Sequence, residues 1–124
     1  MRRTPLAVVL VVTLALALAG GAAARRDAAP KLSGTVGPGF TIHLTRAGKA
    51  VKTLKAGTYT FVVADKSSIH NFELEKTSGG EFEKEITHVG FVGTKTVKVR
   101  LTWGKYKYYC KPHESSMFGR FTVK

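Results

Sequence analysis

The stretch TVKVRLTWGKYKYYC, residues 96–110, alternates apolar and polar side chains over most of its length. Alternation with a period of two is typical of a β-strand that packs one face against a core and exposes the other. Gly104 divides the stretch into two such runs, as expected for strands separated by a turn. The predicted inward residues are Val97, Val99, Leu101 and Trp103 in the first run, and Tyr106, Tyr108 and Cys110 in the second. Lys107 and Tyr109 are predicted to point outward.

Four further runs alternate in the same way: GFTIHLT (39–45), TYTFVVA (58–64), HNFELE (70–75) and FGRFTVK (118–124). Their predicted inward residues are Phe40, Ile42 and Leu44; Tyr59, Phe61 and Val63; His70, Phe72 and Leu74; and Phe121 and Val123. Helical periodicity is not sustained outside the N-terminal apolar run. The pattern predicts an all-β sandwich of about seven to eight strands. Residues 76–93 are less regular, and their place in the sandwich is not predicted.

The N-terminus has the features of a secretory signal: Arg2 and Arg3, an apolar run over residues 6–19, and small residues at 22–24. The alternative is a retained N-terminal anchor, but the apolar run is shorter than the roughly 18–20 residues that a spanning helix needs. We therefore expect a signal peptide at 1–24, a flexible lead-in at 25–31 and one domain at 32–124. The expected location is periplasmic, extracellular or associated with the cell surface.

The chain carries a formal net charge of +12 at pH 7, which favours acidic partners or surfaces. Nucleic acid is not the expected partner, because the lysines are scattered and the protein is expected to be exported. Cys110 is the only cysteine, so an internal disulfide is excluded. A single thiol in an oxidising compartment suggests intermolecular pairing, a reactive site or a metal, and the alternative is a buried inert cysteine.

Cys110 lies close to two other residues that can bind metals, His113 and Met117. Strand parity places Cys110 on the buried side, and it places His70, 40 residues upstream, on the buried side as well. Two histidines, one thiolate and a weak axial methionine form the ligand set of a blue-copper electron-transfer site. Soft sulfur suits Cu(I) and imidazole suits Cu(II), so a mixed set serves both oxidation states with little rearrangement.

Other metal sites fit this pattern less well. A structural zinc site prefers two or more thiolates or a closed set without methionine. Covalent haem attachment and a binuclear copper centre each need a second cysteine, and multicopper oxidases need a much longer chain. The two remaining histidines, His43 on an outward strand face and His88 in an irregular segment, are not expected to be ligands.

The motifs SIHNFEL (68–74) and TWGKYKYYCKPHESSMFGRFTV (102–123) resemble those of the cupredoxins, and in particular of bacterial plastocyanin-like and amicyanin-like domains. The resemblance covers most of the domain and implies a Greek-key sandwich with one mononuclear type 1 copper ion. It implies four copper ligands: His70, Cys110, His113 and Met117. Asn71 would hydrogen-bond across to the ligand loop, and His113 would be the ligand at the solvent edge. Lys111 occupies a position where the family usually has serine or threonine, so a side-chain hydroxyl link to Asn71 is absent.

The function expected from these features is that of a one-electron carrier that cycles Cu(II)/Cu(I) between redox partner proteins, and not that of an enzyme. The alternatives are a copper capture or delivery protein without redox cycling, and a degenerate sandwich used for adhesion. Outward parity suggests an electron-transfer surface around Tyr109 that is basic and selects an acidic partner. The residues of this predicted surface are Tyr109, Lys105, Lys107 and Lys111, and Pro112 and Phe118 beside His113 are a second candidate contact patch for electron transfer. We expect a monomer.

Overall fold

The computed structural model describes residues 28–124, which form ten strands and one short 3₁₀ helix. The strands are β1 (Lys31–Val36), β2 (Ile42–Arg46), β3 (Lys49–Ala50), β4 (Thr53–Leu54), β5 (Gly57–Asp65), β6 (Phe72–Ser78), β7 (Glu83–Thr87), β8 (Gly93–Leu101), β9 (Gly104–Tyr109) and β10 (Phe118–Val123). The 3₁₀ helix (Lys111–His113) lies between β9 and β10. The predicted signal peptide and residues 25–27 of the predicted lead-in lie outside the described residues. Within the described part of the chain, no helix is long and apolar enough to span a membrane.

The strands form two five-stranded sheets, in the orders β3-β2-β1-β5-β8 and β4-β10-β9-β6-β7. Both sheets are mixed, because β1 pairs in parallel with β5 and β10 pairs in parallel with β4, while the other pairs are antiparallel. The inner faces of the two sheets pack together, which confirms the predicted all-β sandwich. The strand count exceeds the expected seven to eight partly because β3 and β4 have two residues each, too few to produce a visible alternation.

The core consists largely of the predicted inward rows. Residues from both sheets are completely buried, among them Phe61 and Val63 on β5 and Phe72 and Leu74 on β6. Aromatic rings stack within the second sheet, where the centroids of Tyr106 and Phe121 lie 5.2 Å apart. Alternation along each strand therefore identified the buried face correctly for most of the sandwich.

Two predicted core residues lie at the surface instead. The side chains of Phe40 and Trp103 are 60% and 68% exposed. Phe40 precedes β2, which begins at Ile42, and Trp103 follows β8, which ends at Leu101. Because the period of two holds only where the backbone is paired and extended, it does not extend to residues outside the strands.

Residues 76–93, which the alternation did not place, form the edge of the second sheet. β6 ends at Ser78, a turn with positive φ at Gly79 and Gly80 follows, and β7 then pairs antiparallel with β6. Glycine tolerates this conformation because it has no Cβ. Glu73, an outward residue near the start of β6, is buried, and β7 and β9 flank β6 on either side in the sheet.

The position of the candidate site follows from the pairing of β6 with β9. The two strands are antiparallel, with Glu73 opposite Tyr109, so the start of β6 lies beside the end of β9. His70 lies just before β6, and Cys110 directly follows β9. Two residues that are distant in sequence therefore meet at one end of the sandwich.

Candidate metal centre

Three side-chain atoms meet at this end of the sandwich. Cys110 Sγ lies 3.6 Å from His70 Nδ1 and 3.6 Å from His113 Nδ1. The two Nδ1 atoms lie 3.1 Å apart. Within residues 28–124, no other group of three or more histidine, cysteine or acidic side chains has its ligand atoms this close together. Three of the four predicted copper ligands are therefore brought into one cluster.

The three atoms form a triangle of a size that suits a transition-metal ion. A point in their plane that is equidistant from them lies about 2.0 Å from each atom, within or close to the roughly 2.0–2.3 Å at which imidazole nitrogen and thiolate sulfur bind zinc. Two imidazoles and one thiolate in a trigonal arrangement are the donor set of blue-copper sites. The residues therefore fit a single type 1 copper ion.

The ligand loop, residues 110–117, is closed by hydrogen bonds of its own backbone. The Cys110 N–H donates to the carbonyl of Met117 at 3.0 Å, and the Met117 N–H donates to the carbonyl of His113 at 2.8 Å. The His113 N–H donates in turn to the carbonyl of Cys110 at 3.1 Å. Cys110 and Met117 are buried and His113 is half-buried. The loop thus holds a thiol, an imidazole and a thioether in a compact arrangement, with His113 nearest to solvent.

Asn71 connects the start of β6 to this loop. Its side-chain Oδ1 accepts a hydrogen bond of 2.7 Å from the backbone N–H of Lys111, the residue after Cys110. Because the donor is a main-chain group, the link does not need the hydroxyl side chain that Lys111 lacks. Asn71 thereby ties the chain next to His70 to the chain next to Cys110.

Phe40 is a residue of the site that the sequence reasoning did not find. Its ring packs edge-on against the rings of His70 and His113, with centroids 5.3 and 4.9 Å away. His70 Nε2 is buried without a hydrogen-bond partner among the described residues, so packing orients this ring. A Cβ at Gly37 would come within 3.3 Å of His70 Cδ2, which shows how closely the backbone approaches the ring. The sequence feature that could have indicated this contact is the Gly37-Pro38-Gly39 turn directly before Phe40.

The electron-transfer surface predicted around Tyr109 stays a prediction, and the structure shows how that tyrosine is surrounded. Tyr109 does lie on the outer face of β9, but it is only 4% exposed. Burial and the nearby carboxylates, first of all Glu75, raise the pKa of its hydroxyl well above the usual range. Lys107 forms an ion pair with Glu114 and lies over the ring of Tyr109. Outward parity was correct, but β6 and its carboxylates cover this tyrosine.

The other exposed residues predicted for electron transfer lie at two different ends of β9. Lys105, Lys111, Pro112 and Phe118 are exposed, and the last three lie on or next to the ligand loop. Lys105 lies at the opposite end of β9, because that strand begins at Gly104. Lys111, Pro112 and Phe118 therefore lie beside the candidate metal centre, whereas Lys105 lies away from it.

The other two described histidines lie away from the cluster. His43 is exposed on β2, a strand of the first sheet. His88 is exposed after β7 and packs against the ring of Phe91 at 5.8 Å. Neither belongs to the group of candidate ligands.

A β-sandwich with a buried cysteine between two histidines at one end defines the cupredoxin class of copper proteins. The sequence profile described as "Copper binding proteins, plastocyanin/azurin family" matches residues 43–124, and the chain belongs to this family. Copper is therefore the metal of the centre. A search of curated proteins gave no significant match.

Solved structures of copper proteins share the fold. Reduced rusticyanin is 21% identical, with a TM-score of 0.56 over 76% of this chain and 78% of that one. Auracyanin A, a blue copper protein from Chloroflexus aurantiacus, is 18% identical, with a TM-score of 0.56 over 78% of this chain and all of that one. Similarity at this level of identity supports the fold of the chain described above.

Proposed function

We propose that this protein is an exported one-electron carrier with one type 1 copper site. His70, Cys110 and His113 are the proposed equatorial ligands and Met117 the proposed axial ligand. The observation that carries the proposal is the triangle of Cys110 Sγ and two imidazole Nδ1 atoms at 3.1–3.6 Å. Bound copper would supply the Cu(II)/Cu(I) couple.

The chain supports electron transfer by holding its donor atoms in place. Cys110, His70 and Met117 are buried, so water is kept from the donor set, and the hydrogen-bonded loop limits rearrangement between oxidation states. His113 is half-buried and connects the buried cluster to the surface. Buried donors favour a carrier over a delivery protein, because copper release requires ligands that a recipient can reach.

The first test is a visible absorption spectrum of the purified full chain after addition of Cu(II). We expect an intense blue band that disappears on reduction and returns on oxidation. Cys110→Ser should abolish the band, while Ser115→Ala, a change at an exposed position of the same loop, should leave it intact. A colourless adduct that cannot be cycled would refute the carrier function and support copper capture.

The axial role of Met117 has its own test. Met117→Leu keeps the buried volume and removes the sulfur. We expect the blue band to remain and the reduction potential to change, because the axial ligand tunes the potential of a site of this kind. An unchanged potential would exclude Met117 as a ligand.

We also propose that residues 1–24 act as a cleaved secretion signal and that the exported protein works as a monomer with redox partner proteins. The supporting features are the basic start, the apolar run and the small-residue site in the sequence. The intact mass of the protein from cell fractions tests the cleavage. A full-length mass in the cytoplasmic fraction would contradict export.

A further inference from the structure

Glu73 is a buried carboxylate beside the metal centre that none of the proposed roles uses. It lies on β6 and is 3% exposed. Its hydrogen-bond partner among the described residues is the side-chain amide of Asn71, whose Nδ2 donates to Glu73 Oε1 at 3.3 Å. The ion pair found among residues 28–124 joins Lys107 and Glu114, so Glu73 has no ion-pair partner there. Burying a carboxylate without a cation is costly, which suggests a specific role.

The surroundings of Glu73 do not favour its charge. In the strand register it lies opposite Glu85 on β7 and opposite Tyr109 on β9. Burial raises the pKa of its carboxyl, and the charges of Glu85 and Glu83 add to this, while Lys111 and the bond from Asn71 oppose it. Stability of the fold alone therefore does not explain a glutamate at this position.

The two hydrogen bonds of Asn71 define the orientation of its amide. The Lys111 N–H can only donate, so it must meet the oxygen of the amide, and the NH₂ group then points to Glu73. A rotated amide would place NH₂ against N–H and oxygen against carboxylate, and both contacts would be repulsive. An acceptor at Glu73 therefore favours the single orientation that can bind the ligand loop.

We propose that Glu73 is a positioning residue, which orients the Asn71 amide and thereby holds the Cys110 end of the ligand loop against the His70 end of β6. The 3.6 Å separation of Cys110 Sγ and His70 Nδ1 is the geometry that this link maintains. The effect on copper rests on the proposed function, whereas the orientation of the amide does not.

Hydrogen exchange of the Lys111 amide measures this link directly. The full chain is loaded with Cu(I), which is diamagnetic and suits NMR, and the measurement is repeated without metal. The Met117 amide, which donates within the same loop, serves as the internal reference for loop opening. Glu73→Leu should accelerate exchange of the Lys111 amide relative to Met117 by about fivefold or more, as expected for the loss of one net hydrogen bond.

Two variants test whether Glu73 acts as a hydrogen-bond acceptor for Asn71 or through its negative charge. Glu73→Gln keeps a carbonyl oxygen for Asn71, so exchange should stay within about twofold of the unmodified protein. Glu85 is the exposed residue opposite Glu73 on β7, and the matched change Glu85→Gln should leave exchange of the Lys111 amide unchanged. Equal acceleration in Glu73→Gln and Glu73→Leu, or none in Glu73→Leu, would overturn the proposal. Glu73→Val replaces the leucine variant if that variant does not fold.

A double-mutant cycle tests whether Glu73 acts through Asn71. In an Asn71→Ala background, Glu73→Leu should cause no further change in the exchange ratio. A remaining effect would show that Glu73 acts by another route and would overturn the proposal. Because the ratio can be measured without metal, a failure of copper binding would refute the proposed function alone.

Discussion

Asn71→Ala is the substitution that most directly tests how the ligand loop is held. Asn71 is 1% exposed, and its amide is the described link between the start of β6 and the N–H of Lys111. Alanine keeps the backbone and removes both hydrogen bonds at once. One backbone donor and one buried carboxylate, Glu73, then lose their partner.

The expected cost follows from these two losses. A buried donor without a partner costs about 1–3 kcal/mol, and the Lys111 N–H belongs to the lower part of that range because it is only partly buried. A hydrogen bond to a charged group contributes about 1.5–3 kcal/mol, although Glu73 can limit its loss by taking up a proton. Together these terms predict destabilisation by about 2–4 kcal/mol, a large share of the roughly 5–15 kcal/mol typical of a domain.

Urea unfolding of the metal-free protein at pH 7 measures this difference. The free energy of unfolding should fall by the predicted amount while the m-value stays the same, because the surface exposed on unfolding hardly changes. Ser115→Ala, at an exposed position in the same loop, should change it by less than about 0.5 kcal/mol. A loss below about 1 kcal/mol in Asn71→Ala at constant m would refute the view that this amide holds the loop.

Two further predictions concern pH and the core. The pKa of Glu73 is raised in the folded state, so the native protein binds the proton more tightly, and stability should fall as pH rises from the unfolded carboxyl pKa through the folded one. Below this pH range, Glu73→Gln should have the same free energy of unfolding as the unmodified protein, and above the range it should have a higher one. Equal free energies of unfolding at every pH would contradict the raised pKa. Leu101→Ala in the core should cost about 2–5 kcal/mol, whereas Trp103→Ser at the exposed position should cost less than about 1 kcal/mol. If urea unfolding showed that Trp103→Ser lowers the free energy of unfolding as much as Leu101→Ala does, Trp103 would not be exposed.

The errors of sequence reasoning have two causes, and the first is that parity states which face a residue lies on but not what covers that face. Tyr109 has the predicted parity, yet it is buried because β6 and its glutamates lie against it. Phe40 and Trp103 fail differently, since they lie beyond the ends of their strands. In both cases the missing information is the position of neighbouring strands and of strand ends.

The spacing of Cys110, His113 and Met117 and the period-two alternation are local properties, so the sequence by itself determined the sandwich class and the loop that carries three donors. Their roles as ligands, with that of His70, stay predictions until copper is measured. Only the tertiary structure brought His70 within 3.6 Å of Cys110, because that distance depends on the antiparallel pairing of β6 and β9. It likewise decided the burial of Glu73, which requires β7 and β9 on either side of β6. Long-range pairing of this kind depends on the whole chain, and no local pattern records it.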